Sequence, residues 1–238
     1  FIGTGLMGSP MIKNLLKSKH QISIFNRTIS KAKKLKKYGA YLSYKIEELV
    51  KDKEIIITML TDDKAVNDII RSKTFLNNVC KETTVIDMSS TKPSTALDNY
   101  KTLKKRGVYF LDAPVSGGTK GAESASLAIM VGGEKKIYKK NLKVLKMLGI
   151  PNYVGKPSSG QAAKLANQII VGITIGAVSE AIILSKKLGL KPTNVLKALK
   201  GGWADSKILQ THGLRMIKED FKARGKVCLL YTSPSPRD

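Results

Sequence analysis

A glycine pattern at the start of the chain, Gly3-x-Gly5-x-x-Gly8, limits the possible folds more than any other feature. The apolar pair Phe1-Ile2 precedes it, and an amphipathic stretch with helical spacing follows it. In a strand–turn–helix unit, glycines at this spacing make a tight turn, let a pyrophosphate approach the backbone and let the helix pack on a sheet. The helix N-terminus then faces the phosphates. The pattern therefore predicts a dinucleotide site formed by Gly3, Thr4, Gly5, Leu6, Met7 and Gly8.

Short apolar runs alternate with helical patterns along the first part of the chain. The apolar runs predict strands at residues 22–25, 54–58, 84–87, 108–111 and 128–131. The intervening stretches predict helices at Met7–Lys17, Ser30–Tyr38, Lys64–Arg71, Ser94–Lys105 and Lys135–Leu148. Because strand–helix alternation is typical of α/β proteins, we predict a Rossmann-type, doubly wound parallel sheet with helices on both faces.

The character of the chain changes after Gly155, where a short loop precedes a long apolar stretch from Gln161 to Leu188. Polar residues interrupt this stretch, so we expect a long buried helix and no membrane span. Two further helices are predicted at Thr193–Leu199 and Ser206–Ile217. We therefore expect a dinucleotide-binding domain at residues 1–155, followed by a smaller all-α domain at residues 156–227.

The two ends of the chain differ from the rest. The first predicted strand is cut short at Phe1, and residues 228–238 change composition and contain a Ser-Pro-Ser-Pro cluster. We expect a chain that is shortened at both ends and carries a non-native tail at residues 228–238, which we leave out of the fold and of the site.

The formal net charge of +24 comes mainly from lysine, since only six of the 42 basic residues are arginine. Proteins that recognise nucleic-acid bases usually do so with arginine, and here the lysines are spread along predicted helices. We therefore expect solvated helix faces and no nucleic-acid partner. The two cysteines are far apart and no His/Cys/carboxylate cluster is visible, so we expect neither a metal nor a disulfide framework. Without a visible leader, the chain is expected to be cytoplasmic.

The residues that follow the strand predicted at 22–25 are Asn26, Arg27 and Thr28. A site that prefers NAD(H) usually has Asp or Glu here to bind the ribose hydroxyls. This chain has no carboxylate to repel a 2′-phosphate, and Arg27 can pair with one, so we predict NADP(H) as the preferred cofactor and NAD(H) as a possible one. Thr28 or Ser30 is expected to cap the next helix.

Polar residues also follow later strands, where ligands bind in open α/β sheets. Leu60, Thr61 and Ser90 are predicted to line the cofactor site. Ser116, Gly117 and Gly118 follow another strand, and their backbone N–H groups could hold a carboxylate, although a simple glycine turn explains them as well.

Lys164 lies on the long apolar stretch, close to Asn167 and Gln168 on a helix. A lysine in an apolar setting either extends its amine to water or has a function. Desolvation would lower its pKa toward neutrality, which suits a general acid/base.

These motifs together resemble the β-hydroxyacid dehydrogenase family, over roughly residues 1–225. The segments that carry the resemblance are Gly3–Gly8, Asp112–Gly118, Gly160–Gln168 and Gly201–Ser206. The resemblance implies Lys164 as the catalytic acid/base, and Ser116, Gly117 and Gly118 as the carboxylate site. It also implies that Asn167 orients the substrate, although some relatives place this amide at Gln168, so the choice stays open. Family members are typically homodimers or homotetramers.

The leading hypothesis is an NADP(H)-dependent oxidoreductase of a small β-hydroxy acid or its semialdehyde. The Lys-Leu-Ala-Asn-Gln segment is most similar to the tartronate semialdehyde (2-hydroxy-3-oxopropionate) reductases. The 6-phosphogluconate branch is not expected, because no arginine lies in the substrate motifs to bind a sugar phosphate. Two alternatives are an NAD-linked 3-hydroxyisobutyrate dehydrogenase and a non-catalytic, basic nucleotide- or nucleic-acid-binding module.

Overall fold

The computed structural model describes residues 1–18, 20–220 and 222. Contacts divide the chain into two units, Phe1–Lys164 and the part that begins at Leu165. The boundary predicted near residue 155 therefore lies inside the first unit. The predicted foreign tail, residues 228–238, lies outside the described residues.

The first unit alternates helices with strands. Its strands are β1 Ser23–Ile24, β2 Tyr41–Leu42, β3 Ile55–Thr58, β4 Thr84–Asp87, β5 Tyr109–Asp112, β6 Val115–Ser116, β7 Leu127–Gly133 and β8 Gly149–Gly155. Its helices are α1 Gly8–Leu16, α2 Ile29–Lys33, α3 Ile46–Val50, α4 Asp63–Ile70, α5 Lys73–Asn78, α6 Pro93–Lys104, α7 Gly118–Glu123, α8 Lys135–Lys146 and the beginning of α9, Ser159–Lys187.

Ile2 stands where the first strand of a doubly wound sheet belongs. It forms parallel bridges to Phe25 on one side and to Thr58 on the other. Its N–H donates to Ile57 O at 2.8 Å, while the Gly3 N–H donates to Phe25 O at 2.9 Å. Strands β1 and β2 therefore lie on one side of Ile2, and strands β3, β4 and β5 lie on the other. The glycine pattern lies at the point where the strand order reverses, which is where such sheets bind ligands.

The sheet is parallel from β3 to β5, but β7 runs antiparallel to both β5 and β6. The predicted doubly wound, parallel sheet therefore has antiparallel pairing at this edge. A parallel connection needs a complete crossover, usually with a helix that packs on the sheet. The chain between β5 and β7 instead forms the short strand β6 and the short helix α7, and then returns in the opposite direction.

Several short elements depart from the sequence-based prediction. The helix predicted at Ser30–Tyr38 is the shorter α2 followed by a 3₁₀ turn at Lys36–Tyr38. Helices α3, α5 and α7 and strands β2, β6 and β8 were not predicted. Most of them are too short for a clear periodicity, and β8 contains Pro151 and Asn152, which break the apolar pattern.

Each central strand buries side chains on both faces of the sheet. Ile57, Ile86 and Leu111 belong to one hydrophobic cluster, whereas Ile56, Val85 and Phe110, their neighbours in sequence, belong to a second one. Because successive side chains of a strand point to opposite faces, helices must cover both of them. This arrangement holds the carboxyl ends of the strands, and the loops that follow them, on a rigid support.

The second unit is helical. It contains most of α9, then α10 Pro192–Leu199, a π-helical turn at Leu209–Gly213 and α11 Leu214–Ile217. Val178, Ile182, Leu196 and Leu209 form its small core.

The prediction that the long helix is buried is wrong within the described chain. Ile170 and Ile173 of α9 are 66% and 69% exposed. The helix is long and apolar enough to cross a membrane by length and composition alone, although core helices of soluble proteins pass the same test. Apart from Val178 and Ile182, most of its apolar side chains are therefore not covered by the described residues.

Candidate active site

The three glycines of the first turn have different surroundings. Gly3 has a φ of +102°, and a Cβ there would clash with the carbonyl oxygen of Met59. A Cβ at Gly8 would clash with the carbonyl oxygen of Gly3. A Cβ at Gly5 would meet no atom within 4 Å. Gly3 and Gly8 therefore allow the turn and α1 to pack, while Gly5 leaves space beside the N-terminus of α1, which fits the pyrophosphate of a dinucleotide.

Asn26 connects the glycine turn to the segment after β1. Its Oδ1 accepts a hydrogen bond from the Thr4 N–H at 2.9 Å, and its Nδ2 donates to Thr28 O at 2.9 Å. Arg27 and Thr28 are exposed. Thr28 occupies the N-cap position of α2, but its side chain makes no capping hydrogen bond. Asn26 therefore joins the glycine turn to the segment after β1 by hydrogen bonds. Arg27, in the same segment, stays accessible to a ligand.

The loops after β3 and β4 are joined by a hydrogen bond from the Leu60 N–H to Ser89 Oγ at 2.9 Å. Leu60 also lies beside Gly3. Thr61 is exposed and donates to Asp62 at 2.9 Å. Ser90 is partly buried. The glycine turn, Asn26, Leu60 and the loop containing Ser90 therefore lie close together at the carboxyl ends of the strands.

Two neighbouring strands end in buried carboxylates, Asp87 on β4 and Asp112 on β5, which lie opposite each other in the strand register. Asp87 Oδ1 accepts hydrogen bonds from Thr58 Oγ1 at 2.8 Å and from the Ser89 N–H at 3.1 Å. Burial raises the pKa of Asp87 to about 6 and that of Asp112 to about 6. Desolvation disfavours the charged form of each and outweighs the hydrogen bonds that favour it.

Asp112 holds the first turn of α9. Its Oδ1 accepts from the Ser158 N–H at 2.8 Å and its Oδ2 from the Gln161 N–H at 2.9 Å. These are N–H groups without a partner inside the helix, and a carboxylate here is also favoured by the helix dipole. Sequence reasoning gave no role to Asp87, Asp112 or Gln161. The signal available for each carboxylate was an acidic residue at the end of an otherwise apolar strand.

Lys164 lies about one turn beyond Gln161 on α9 and is partly buried. Burial lowers the pKa of its amine from the ordinary 10.5 to about 8, since desolvation disfavours the charged form. No salt bridge to Lys164 is present in the described part of the chain. An amine in this state can both release and accept a proton near neutral pH.

The predicted carboxylate site lies at the edge of the sheet. Ser116 is partly exposed at the end of β6, and Gly117 and Gly118 are exposed. Their φ angles of +137° and +61° favour glycine at both positions. Within residues 1–18, 20–220 and 222, no hydrogen bond joins these three residues to the glycine turn or to Lys164.

The predicted substrate amides belong to the second unit, where Asn167 Nδ2 donates to Gln168 Oε1 at 2.9 Å. Among the described residues, no group of three or more His, Cys, Asp or Glu residues could hold a metal ion.

Two family profiles match this chain. The NAD binding domain of 6-phosphogluconate dehydrogenase matches residues 1–181, and the NAD-binding domain of NADP-dependent 3-hydroxyisobutyrate dehydrogenase matches residues 158–231. Together they cover the strand–helix part, the long helix and the helices after it.

Individual relatives agree with these profiles. The chain is 38% identical to 2-hydroxy-3-oxopropionate reductase of Escherichia coli, over 96% of this chain and 79% of the relative. It is 32% identical to the probable mitochondrial 3-hydroxyisobutyrate dehydrogenase-like protein 2 of Arabidopsis thaliana, over 94% of this chain and 76% of the relative.

A solved structure shares the fold almost throughout. The 3-hydroxyisobutyrate dehydrogenase of Mycobacterium tuberculosis, determined with L-serine, superimposes with a TM-score of 0.88 at 28% identity. The match covers 98% of this chain and 82% of that structure. Because the glycine turn, the helical second unit and these relatives all agree, we conclude that the chain belongs to the β-hydroxyacid dehydrogenase family and is an NAD(P)-dependent dehydrogenase of that family.

Proposed function

We propose that this enzyme reduces the aldehyde group of a small carboxylic acid to a hydroxyl group, with NADPH as the hydride donor and Lys164 as the proton donor. The observation that carries the proposal is the partly buried Lys164, whose pKa of about 8 allows proton transfer near neutrality. The similarity to 2-hydroxy-3-oxopropionate reductase favours tartronate semialdehyde as the substrate.

The reaction needs one hydride and one proton. NADPH, held at the turn that contains Gly3, Gly5 and Gly8, would supply the hydride. The ammonium group of Lys164 donates a hydrogen bond to the carbonyl oxygen and then transfers its proton as the alkoxide develops. In the direction of oxidation, the neutral amine of Lys164 accepts the proton of the substrate hydroxyl. The N–H groups of Ser116, Gly117 and Gly118 hold the substrate carboxylate.

The proposed substrate class is tested by following NADPH and NADH oxidation with tartronate semialdehyde, glyoxylate and succinic semialdehyde in parallel. We expect the highest kcat/KM for tartronate semialdehyde with NADPH. If the chain binds NADPH but reduces none of the three, the proposed substrate class is wrong, whereas the family assignment stands.

Changing Arg27 to Asp tests the proposed preference for NADP(H). Arg27 is exposed in the segment after β1, so we expect the change to leave the fold intact. Loss of a charge-assisted contact to the 2′-phosphate, replaced by repulsion, is expected to lower kcat/KM for NADPH relative to NADH by roughly 10–100-fold.

The matched control is Lys31→Asp, an identical change of charge at an exposed position on α2. We expect this variant to keep the wild-type ratio of kcat/KM for NADPH to kcat/KM for NADH. If Arg27→Asp keeps it too, Arg27 does not determine the cofactor preference. A wild-type enzyme with a higher kcat/KM for NADH than for NADPH would refute the preference for NADP(H) and make the NAD-linked 3-hydroxyisobutyrate dehydrogenase the better hypothesis. The names of two relatives favour 3-hydroxyisobutyrate as the substrate of that second candidate, but they carry no information on its cofactor.

We also propose that two copies of the chain associate through the exposed apolar side chains of α9, because Ile170 and Ile173 are more than half exposed. The wild-type chain is then expected to be a dimer or tetramer by light scattering. The double variant Ile170→Glu/Ile173→Glu is expected to be a monomer. The control Ile150→Glu changes an isoleucine of β8 that is 64% exposed and should not alter the mass. A monomeric wild-type chain would refute the proposal.

A further inference from the structure

Gln161 is completely buried, and both ends of its side-chain amide are used. Its Nε2 donates to Ser89 O at 2.8 Å, and its Oε1 accepts from the Thr91 N–H at 3.1 Å. The two contacts lie on either side of Ser90 in the loop after β4. A buried amide with both groups satisfied defines one side-chain position, since any other position leaves polar groups without partners.

The backbone of Gln161 is held from another direction. Its N–H donates to Asp112 Oδ2 at 2.9 Å. The preceding residue, Gly160, packs so closely that a Cβ would clash with the carbonyl oxygens of Asp112 and Met130. The first turn of α9 is therefore attached to the end of β5 by its backbone and to the loop after β4 by the Gln161 side chain.

Lys164 follows Gln161 by about one turn of the same helix. A helix is stiff over so short a distance, so a shift of the first turn moves the Lys164 amine with it. Proton and hydride transfer tolerate little displacement of the reacting groups, and an error of about 1 Å can cost 100-fold in rate.

We propose that Gln161 is a positioning residue, whose amide fixes Lys164 relative to the loop that carries Ser90. Asp112 supports it by holding the backbone of the same turn. The inference rests on the proposed role of Lys164 and adds a group that the family resemblance did not assign.

The principal test is Gln161→Met, which keeps the length of the side chain and removes both hydrogen bonds. We expect kcat to fall by about 10–100-fold with a smaller change in the Kd of NADPH, because the reacting groups are displaced while the cofactor turn is untouched. The matched control is Asn141→Leu. Asn141 is a buried amide that donates to Thr84 Oγ1 at 3.3 Å, at the opposite end of β4. It should lower thermal stability to a similar degree and leave kcat unchanged.

A pH profile separates positioning from a general loss of structure. In Gln161→Glu, a protonated carboxyl group can donate to Ser89 O and accept from the Thr91 N–H, whereas a carboxylate can only accept. Burial favours the protonated form. We therefore expect the activity of Gln161→Glu, relative to the wild-type enzyme, to recover as the pH falls. Gln161→Met should show no recovery.

Labelling of Lys164 with acetic anhydride at different pH values measures its pKa without turnover. We expect the pKa to move from about 8 toward 10.5 in Gln161→Met, because a loosened first turn exposes the amine. An unchanged pKa together with a wild-type kcat in Gln161→Met refutes the positioning role. If instead Lys164→Met keeps its activity, the proposed function fails. In that case the pKa of Lys164 in Gln161→Met, measured by labelling, alone decides whether Gln161 positions the first turn of α9.

Discussion

Changing Lys164 to Met is expected to lower kcat for aldehyde reduction by about 10²–10⁴-fold, because the developing alkoxide loses its proton donor. Methionine fills a similar apolar space, so we expect the fold and NADPH binding to stay unchanged. Steady-state kinetics and a fluorescence titration with NADPH measure the two effects separately. The control is Lys156→Met, the same change at an exposed lysine shortly before α9, which should keep the wild-type rate.

The same lysine predicts the pH dependence. The pKa of Lys164 is lowered to about 8, and the protonated amine is the form that reduction needs. The rate of reduction should therefore fall as the pH rises through about 8, while the rate of oxidation should rise over the same interval. If Lys164→Met keeps more than about a third of the wild-type kcat, or keeps the same pH profile, Lys164 is not the general acid/base.

A pair of alanine substitutions in the glycine turn is expected to separate stability from cofactor binding. In Gly8→Ala, the new methyl group meets the carbonyl oxygen of Gly3, so we expect the free energy of unfolding to fall by about 1–3 kcal/mol. In Gly5→Ala, the methyl group enters open space, so the stability should hardly change. That space is where a pyrophosphate would approach the backbone, and the Kd of NADPH should rise about tenfold or more.

Thermal unfolding and NADPH titration on the two variants check these outcomes. Each variant is the control of the other, since the chemical change is identical and the two sites lie in one turn. A Gly5→Ala variant that binds NADPH as tightly as the wild-type chain would show that the pyrophosphate does not approach at Gly5. A Gly8→Ala variant with wild-type stability would contradict the close approach of α1 to Gly3.

The glycine turn and the strands on either side of it could be predicted because their signals are local. The φ of +102° at Gly3 and the contact of Gly8 with the Gly3 carbonyl both involve only a few neighbouring residues, although Gly3 also approaches the distant Met59. The apolar runs that became β3, β4 and β5 are likewise local, since a strand covered on both faces is apolar throughout. The α/β architecture and the dinucleotide site follow from these patterns.

The antiparallel edge and the exposed α9 were not predicted, for a different reason. Strand direction depends on how the chain returns between β5 and β7, and apolar periodicity is the same for both directions. The apolar pattern of α9 likewise indicates that the helix requires a covering surface, but it does not say whether the same chain supplies one. Within the described residues, it does so only around Val178 and Ile182.

The chemistry of the candidate site could likewise be predicted only in part from the sequence. The residue types are visible in the chain: a lysine on an apolar helix, glycines in turns and an arginine shortly after β1. The contacts that give them their properties join residues far apart in sequence, such as Gln161 with Ser89 and Asp112 with Ser158. A pKa depends on burial and on neighbours brought together by folding, and a hydrogen bond depends on distance and angle. The sequence alone therefore specified the cofactor turn and the candidate base, whereas the positioning of Lys164 and its lowered pKa exist only in the folded chain.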